Sequence, residues 1–468
     1  MKAAPMARPA RAALFFSVFA ALSMMGGCSS LPDVQELIRD FHLSGNSLTI
    51  LGARGALPQE KRAKALSRLR DEGGSAGILE KNLEIVETVG GTPVFCGNRA
   101  TLLVDGDMAF AAMLDVIDSA RDHVNFETYI IKDDDVGRRF ADLLLKKRAE
   151  GVTVNLIYDG FGCRGTPMSF FDRLKEGGVN TLEFNPISFG RVRGYNAFYH
   201  RTHRKMLIVD GTVAFAGGIN IGTDYLKSRP PRDRISPPFQ FWRDTHIMIE
   251  GPAVAAFQEI FLHTWLSQAG APPMTARYFP PGERRGDQMV QVVDSTPGYA
   301  HRGSYVMYVS AVTHAQKSVH MTQSYFVPDK QMMQALVDAA QRGVDVRIIL
   351  PGCTDHGIVR QAGRRHYQEL LDAGVRLYER AGVVLHSKTA VIDGVWSTVG
   401  STNLELWSFV TSDEVNAVVI GSRFADDMEA SFQKDLAQSR EILPDEWSRR
   451  PLVDRVKEFL SNLFHYWL

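Results

Sequence analysis

The chain is short of cysteine, of net charge and of long apolar runs, and each shortage removes a class of protein. Four cysteines in 468 residues are too few for a scaffold built on disulfides. Fifty-three basic residues balance 53 acidic ones, so no global positive field draws the molecule to nucleic acid, and none is expected as a partner. No G-x-x-x-x-G-K-[S/T] loop is present, which removes the usual phosphate cradle of nucleotide-driven enzymes. No apolar run comfortably reaches the roughly 20 residues that a helix needs to span a bilayer. What is left is ordinary apolar content with 40 glycines, and a length that suits two cores.

One short apolar stretch, residues 12–25, has a setting that explains it. Lys2, Arg8 and Arg11 precede it and Met-Gly-Gly-Cys ends it, so residues 1–27 read as a secretory signal. The small residues before Cys28, with Ser29 and Ser30 after it, resemble a bacterial lipoprotein processing site, at which the cysteine is acylated and becomes the mature N-terminus. The expected location is the cell envelope, outside the cytoplasm, with a lipid anchor in a membrane. Cys96, Cys163 and Cys353 then remain, and free thiols are the ordinary expectation for an odd set. Cys163 and Cys353 each follow a strand-like run and a glycine, so a pairing across a cleft is the alternative.

What the chain does contain is a copy of itself. AEGVTVNLIYDG, ending at Gly160, returns as QRGVDVRIILPG, ending at Gly352. In both, a glycine (Gly151 or Gly343) closes a helical stretch and a buried strand follows. HVNFETYII and SVHMTQSYFV are strand-like and precede helical GRRFADLLLKKRAE and KQMMQALVDAAQ. A further helix, Gly-Val and strand follows in FFDRLKEGGVNTLEF and YQELLDAGVRLYE. Strands alternating with helices predict an α/β fold with parallel or mixed sheets. The expected divisions are a lead-in over 28–97, a first lobe over 98–270, a Pro- and Gly-rich linker over 271–287, a second lobe over 288–440 and a tail over 441–468. In the tail Leu452, Val456, Phe459, Leu463 and Trp467 fall at helical spacing; packing of that face on the body is expected, with a helix lying on a membrane as the alternative. Two insertions, 189–199 and 228–242, belong to the first half alone and read as a lid, a lipid contact or solvated loops.

The halves agree at every position that could carry chemistry. His203, Lys205, Asp210, Gly211, Gly217 and Asn220 correspond at one constant offset to His386, Lys388, Asp393, Gly394, Gly400 and Asn403. In a strand beginning near each histidine, His and Lys two apart share a face, so imidazole and ammonium converge on one ligand. Asp210 and Asp393 complete each motif, but lie too far along to share that ligand and are expected to hold backbone or a buried base. The turns at Gly217-Gly218 and Gly400-Ser401 can bring backbone N–H groups of Gly218 and Ser401, and the side chains of Asn220 and Asn403, to an anionic oxygen. Together with the two lysines this makes a site for one phosphodiester that calls for no metal or other cofactor. Asp244 stands seven residues before Gly251 as Glu414 does before Gly421, and these carboxylates are the candidates for fixing the imidazole tautomers. One histidine would attack phosphorus to give a phosphohistidine while the other protonates the departing alkoxide and later deprotonates the incoming hydroxyl. His200 lacks a counterpart and reads as rim, and Asp133, Asp134 and Asp135 read as a solvated helix start rather than a metal site.

These motifs resemble the phospholipase D superfamily, whose signature is a doubled HxKxxxxD followed by GxxN or GGxN, and the likeness runs from about 98 to 438. It implies a bilobed, pseudo-twofold α/β fold, two sheets flanked by helices with the active site between the lobes, and no metal. It also implies His203 as nucleophile and His386 as acid and base. Within the superfamily, YDGFG, HRKMLIVDG with GGIN, WRDTHIMIEGP, QSYFVPD, GVRLYE, HSKTAVIDG with GSTNLELWSF, and the ending FHYWL are similar to bacterial cardiolipin synthases. The implied reaction moves a phosphatidyl group between phosphatidylglycerol molecules and releases glycerol. The chain departs from that family in having one signal-like segment where many members have two spans, and NLELWSFVTSDE where Asn-x-Asp-x-Arg-Ser-Phe is usual. Expected partners are phospholipids and a membrane, and a monomer suffices because both motifs share one chain. A hydrolytic phospholipase D, an exported nuclease and a non-catalytic lipid-binding lipoprotein are the alternatives.

Overall fold

The computed structural model describes residues 31–463 apart from 45–47, 76, 188–198, 228–240, 270–276 and 299–301. The signal-like segment, Cys28, nearly all of both insertions, part of the linker and Trp467 lie outside the described residues.

Each half builds the same seven principal strands. The first half has β1 (Val94–Val104), β2 (His123–Thr128), β3 (Thr153–Asp159), β4 (Asn180–Phe184), β5 (Met206–Val209), β6 (Val213–Gly217) and β7 (Thr245–Glu250). The second has β8 (Gln288–Ser295), β9 (Ser318–Gln323), β10 (Asp345–Pro351), β11 (Arg376–Arg380), β12 (Lys388–Ile392), β13 (Trp396–Gly400) and β14 (Ser412–Ile420). Their spatial order is β4-β3-β2-β5-β6-β7-β1 and, identically, β11-β10-β9-β12-β13-β14-β8. The outer three strands of each half are parallel because helices return the chain over the sheet; the rest are antiparallel. The two sheets meet through β1 and β8, which run antiparallel with Val290 opposite Phe95, while the later part of β1 pairs with β7.

The flanking helices include α1 (Asp105–Ser119), α2 (Asp135–Ala149), α3 (Met168–Glu176) and α4 (Val254–Ala269) in the first half. The second half has α5 (Gly303–His314), α6 (Lys330–Gln341), α7 (Gly357–Arg364) and α8 (Ser422–Leu436), and α9 (Leu452–Asn462) follows. The repeated helices start and stop for local reasons. Asp134 caps α2 by accepting from the N–H groups of Val136 and Gly137, and Asp329 does the same for α6. Gly151 and Gly343 follow with φ of +94° and +87°, left-handed geometry that ends the helix without a side-chain clash. The acidic triplet is thus a helix start, with Asp133 bonded to Arg138.

One core crosses the seam. Met206, Ile208, Ala214 and Ala216 of the first half pack in the same cluster as Val290, Val292, Val399 and Val415 of the second. The lead-in also belongs to this body: Asn82 donates to the Met307 carbonyl and Gln291 to the Leu83 carbonyl, with Ile78, Leu79, Leu83 and Val86 buried around them. The tail corrects an expectation. Leu452, Val456, Phe459 and Leu463 do not pack on the body but are exposed, because Glu458 on the opposite side of α9 is buried in ion pairs with Arg450 and Arg364. Among the described residues, no helix is long and apolar enough to cross a membrane.

Candidate active site

Each motif begins where its chain crosses to the other half. Arg201 and Thr202 pair in parallel with Ser412 and Asp413 at the start of β14; Trp242 and Arg243, just before β7, pair with Val384 and Leu385. The crossing continues through the next amide, the His203 N–H donating to the Asp413 carbonyl (2.9 Å) and the His386 N–H to the Arg243 carbonyl (2.8 Å). The principal strands start later than the sequence pattern implied, at Met206 and Lys388. Each lysine folds back beneath its histidine, Nζ donating to that histidine's own carbonyl.

This crossing decides which carboxylate meets which imidazole. Glu414 of the second half accepts from Nδ1 of His203, at 3.0 and 3.2 Å, and Asp244 of the first half accepts from Nδ1 of His386 at 2.7 Å. An ionised carboxylate can only accept, so Nδ1 carries the proton and Nε2 of each ring keeps its lone pair.

Gly218 and Ser401 are corrections to the sequence reading. Their N–H groups are bonded to the carbonyls of Thr245 and Val415, both at 3.0 Å, and are not offered to a phosphate. Both seat the carboxylates instead. A Cβ on Gly218 would stand 2.2 Å from an oxygen of Asp244, so the bare Cα is what admits that side chain. At the equivalent place the Ser401 hydroxyl donates to Glu414, as does that of Ser408.

Asn220 accepts from the Ile130 N–H (3.2 Å) and donates to the Tyr225 hydroxyl (2.9 Å); Asn403 accepts from the Ser324 hydroxyl (2.7 Å). Asp210 and Asp393 stand away from the cleft, gathering the backbone N–H groups of Arg121, Asp122 and His123, and of Gln316, Lys317 and Ser318. They tie each motif's turn to the start of β2 or β9. His200 bridges the halves through Asp413 (2.7 Å), and Cys96, Cys163 and Cys353 are free thiols, with Cys163 donating to the Tyr129 carbonyl.

His203, His386, Asn220, Asn403 and Glu414 line a single cleft of about 860 Å³, within the range of sites for organic ligands. A second hollow, about 1070 Å³, is lined by charged residues such as Arg99, Arg243 and Asp435 and by neither histidine. The cleft also contains residues that the motifs did not signal. Tyr129 and Tyr325 set their rings 5.2 and 6.2 Å from those of His203 and His386, and 5.2 and 5.9 Å from the ammonium groups of Lys205 and Lys388. Asp210 and Asp393 mark His123 and Ser318 as equivalents, so the tyrosines are displaced by one residue within the repeat, which hid them. Glu405 caps the short helix Leu406–Val410 at the cleft wall, and burial pushes its carboxyl up to about 8.

The electrostatics follow from burial. Desolvation lowers the His203 imidazolium below its ordinary value despite Glu414, and lowers that of His386 much further with help from both lysines. Burial also drops Lys388 to about 8 and Lys205 well below its usual value, while Asp244 and Glu414 oppose the shift. The Asp244 carboxyl is raised to about 6 by the same burial, with Lys388 opposing. A phosphodiester anion in the cleft would favour the charged form of both lysines and of whichever imidazole takes up a proton.

The profile of the family described as "Cardiolipin synthase, PLD-like domain" matches residues 113–230 and 308–436, which hold both motifs. A cardiolipin synthase of Halalkalibacterium halodurans is 33% identical over 398 residues, 85% of this chain and 77% of that protein. One from a Geobacillus species is 34% identical over 383 residues, 81% of this chain and 74% of its own length. The crystal structure of a phosphatidylserine synthase from Haemophilus influenzae shares the fold, with a TM-score of 0.60 at 11% identity over 81% of this chain and 96% of that one. With two intact motifs converging on one cleft, the chain belongs to the cardiolipin synthases of the phospholipase D superfamily and is a phosphatidyltransferase.

Proposed function

We propose that this enzyme moves a phosphatidyl group from one phospholipid to a hydroxyl of phosphatidylglycerol through a covalent intermediate on His203. The observation that carries the reading is the pair of crossed carboxylate–imidazole contacts on one cleft, each leaving Nε2 available. In the first step the His203 Nε2 lone pair attacks phosphorus, the bond to the leaving glycerol oxygen breaks, and that oxygen takes a proton from the His386 imidazolium. In the second, neutral His386 removes the proton of the acceptor hydroxyl as its oxygen attacks phosphorus and the P–N bond breaks. The family resemblance supports this order of roles. Lys205, Lys388, Asn220 and Asn403 stabilise charge on the non-bridging oxygens, and Asp244 and Glu414 hold the rings and support the imidazolium. One phosphodiester is exchanged for another, so no nucleotide is consumed. That suits a working part outside the cytoplasm, held to the membrane by an acylated Cys28.

The test supplies purified full-length protein with phosphatidylglycerol vesicles and follows the products. Cardiolipin with one equivalent of glycerol is expected; phosphatidic acid as main product would replace transfer by hydrolysis, and no turnover would leave a binding role. His203→Ala and His386→Ala are each expected to abolish turnover.

A further inference from the structure

We propose that the outer face of α9, together with Ile358 of α7, is a docking surface for the lipid bilayer that presents phospholipid to the cleft. The helix is mounted against the normal rule. Leu452, Val456, Phe459 and Leu463 form one stripe at a spacing of three or four residues, and Val453 and Leu460 widen it. All six are exposed, from 49% for Val456 to 74% for Leu452, whereas the polar side turns inward. Glu458 is fully buried, paired with Arg450 at 2.9 Å and reached by Arg364 of α7 at 3.7 Å. The guanidinium groups of Arg364 and Arg450 in turn lie over the Trp447 ring, at 4.6 and 4.5 Å. The helix is therefore anchored by charge on one side and leaves a face of six exposed apolar side chains on the other, a grouping that marks an interaction surface rather than scattered exposure.

Three features name a bilayer as the occupant. The apolar stripe is bordered by Arg455 on one edge and Lys457 on the other, cations suited to headgroup phosphates at either side of a helix lying in the interface. The surface is also linked to the active site through one helix: α9 packs on α7, Val359 of α7 and the preceding Asp355 and His356 line the cleft, and Ile358 beside them is 56% exposed. Finally, the sequence after Leu463 runs Phe-His-Tyr-Trp-Leu, residue types that favour the membrane interface. The inference rests on bilayer phospholipid being the substrate of this cleft.

The test compares full-length protein with a Val456→Asp/Phe459→Asp variant on two substrates, long-chain phosphatidylglycerol in vesicles and short-chain phosphatidylglycerol dispersed as monomers. Phosphatidyl consumption is counted whatever the acceptor, so the outcome does not depend on transfer winning over hydrolysis. Vesicle turnover is expected to fall at least tenfold with monomer turnover unchanged, and Val456→Leu/Phe459→Leu is expected to restore it. Equal turnover of vesicles by the Asp variant would overturn the proposal, as would a change from dimer to monomer with vesicle turnover intact, since the face would then bind a second copy. A probe attached through Leu460→Cys supplies a reading free of any folding defect: quenching by brominated lipids is expected, and its absence rules the bilayer out. Loss of turnover on both substrates by the unaltered protein would instead count against the catalytic reading.

Discussion

At the scale of residues, an aspartate and a glutamate serve equivalent places with different local support. Asp244 reaches its histidine through space that Gly218 leaves open, and Glu414 is steadied by two serine hydroxyls. Each orients an imidazole, so removing its charge while keeping its shape isolates that task. Asp244→Asn and Glu414→Gln are expected to lower kcat by about 10²–10⁴-fold with a smaller effect on KM, in steady-state kinetics on phosphatidylglycerol. The pH dependence follows from His203. Burial disfavours its imidazolium, so the neutral nucleophile persists as pH falls past the ordinary value of 6.5. The acidic limb of kcat/KM is therefore expected below pH 6.5, and lower still in Glu414→Gln, which loses the carboxylate that favours protonation. An acidic limb above pH 6.5 would contradict the assignment. The histidines, lysines and asparagines were legible because the repeat displays them twice. The use of Gly218 and Ser401 was not, because it depends on carboxylates far along the chain whose approach the spacing does not reveal.

At the scale of elements, the middle residue of the first His-x-Lys is what secures the seam. Arg204 is buried between the halves, bonded to Thr264 (2.9 Å), Thr296 (2.8 Å) and Asp294, and 3.5 Å from Asp413. Ser387 stands in its place in the second motif and meets the hydroxyl of Thr245 at 3.2 Å. Arg204→Ala would strand buried acids, and a loss of about 3–5 kcal/mol is expected, read from the midpoint of denaturant unfolding. A midpoint equal to that of the parent would show that the arginine is dispensable to the seam. Helix ends were legible here because Gly151, Gly343 and the acidic caps act locally. The direction of α9 was not: a period of 3.6 shows that an apolar face exists but not which way it turns, and that is settled by Glu458 meeting Arg364 and Arg450.

At the scale of the whole molecule, duplication predicts two similar lobes and the structure adds how they are joined. β1 and β8 pair across the middle, and each half lends its carboxylate to the other's histidine, so neither half holds a complete site. The two histidines should then act as one unit. Activities of His203→Ala, His386→Ala and the double variant are expected to be equally low, without multiplication of the two losses. A double variant far below either single one would mean that the motifs act separately. The shared sheet could not be read from the strings, since the repeat shows what each half builds but not which edges meet.

The central claim is that imidazoles from both halves act on one phosphorus atom, and trapping the intermediate tests it most directly. Phosphatidylglycerol labelled at phosphorus is mixed with the enzyme, the reaction is quenched in milliseconds with acid-free denaturant, and the labelled peptide is mapped. A label on the peptide bearing His203, absent in His203→Ala and strongly reduced when His386 is replaced, is expected. A label carried independently by both histidines, or none while cardiolipin still forms, would contradict the account.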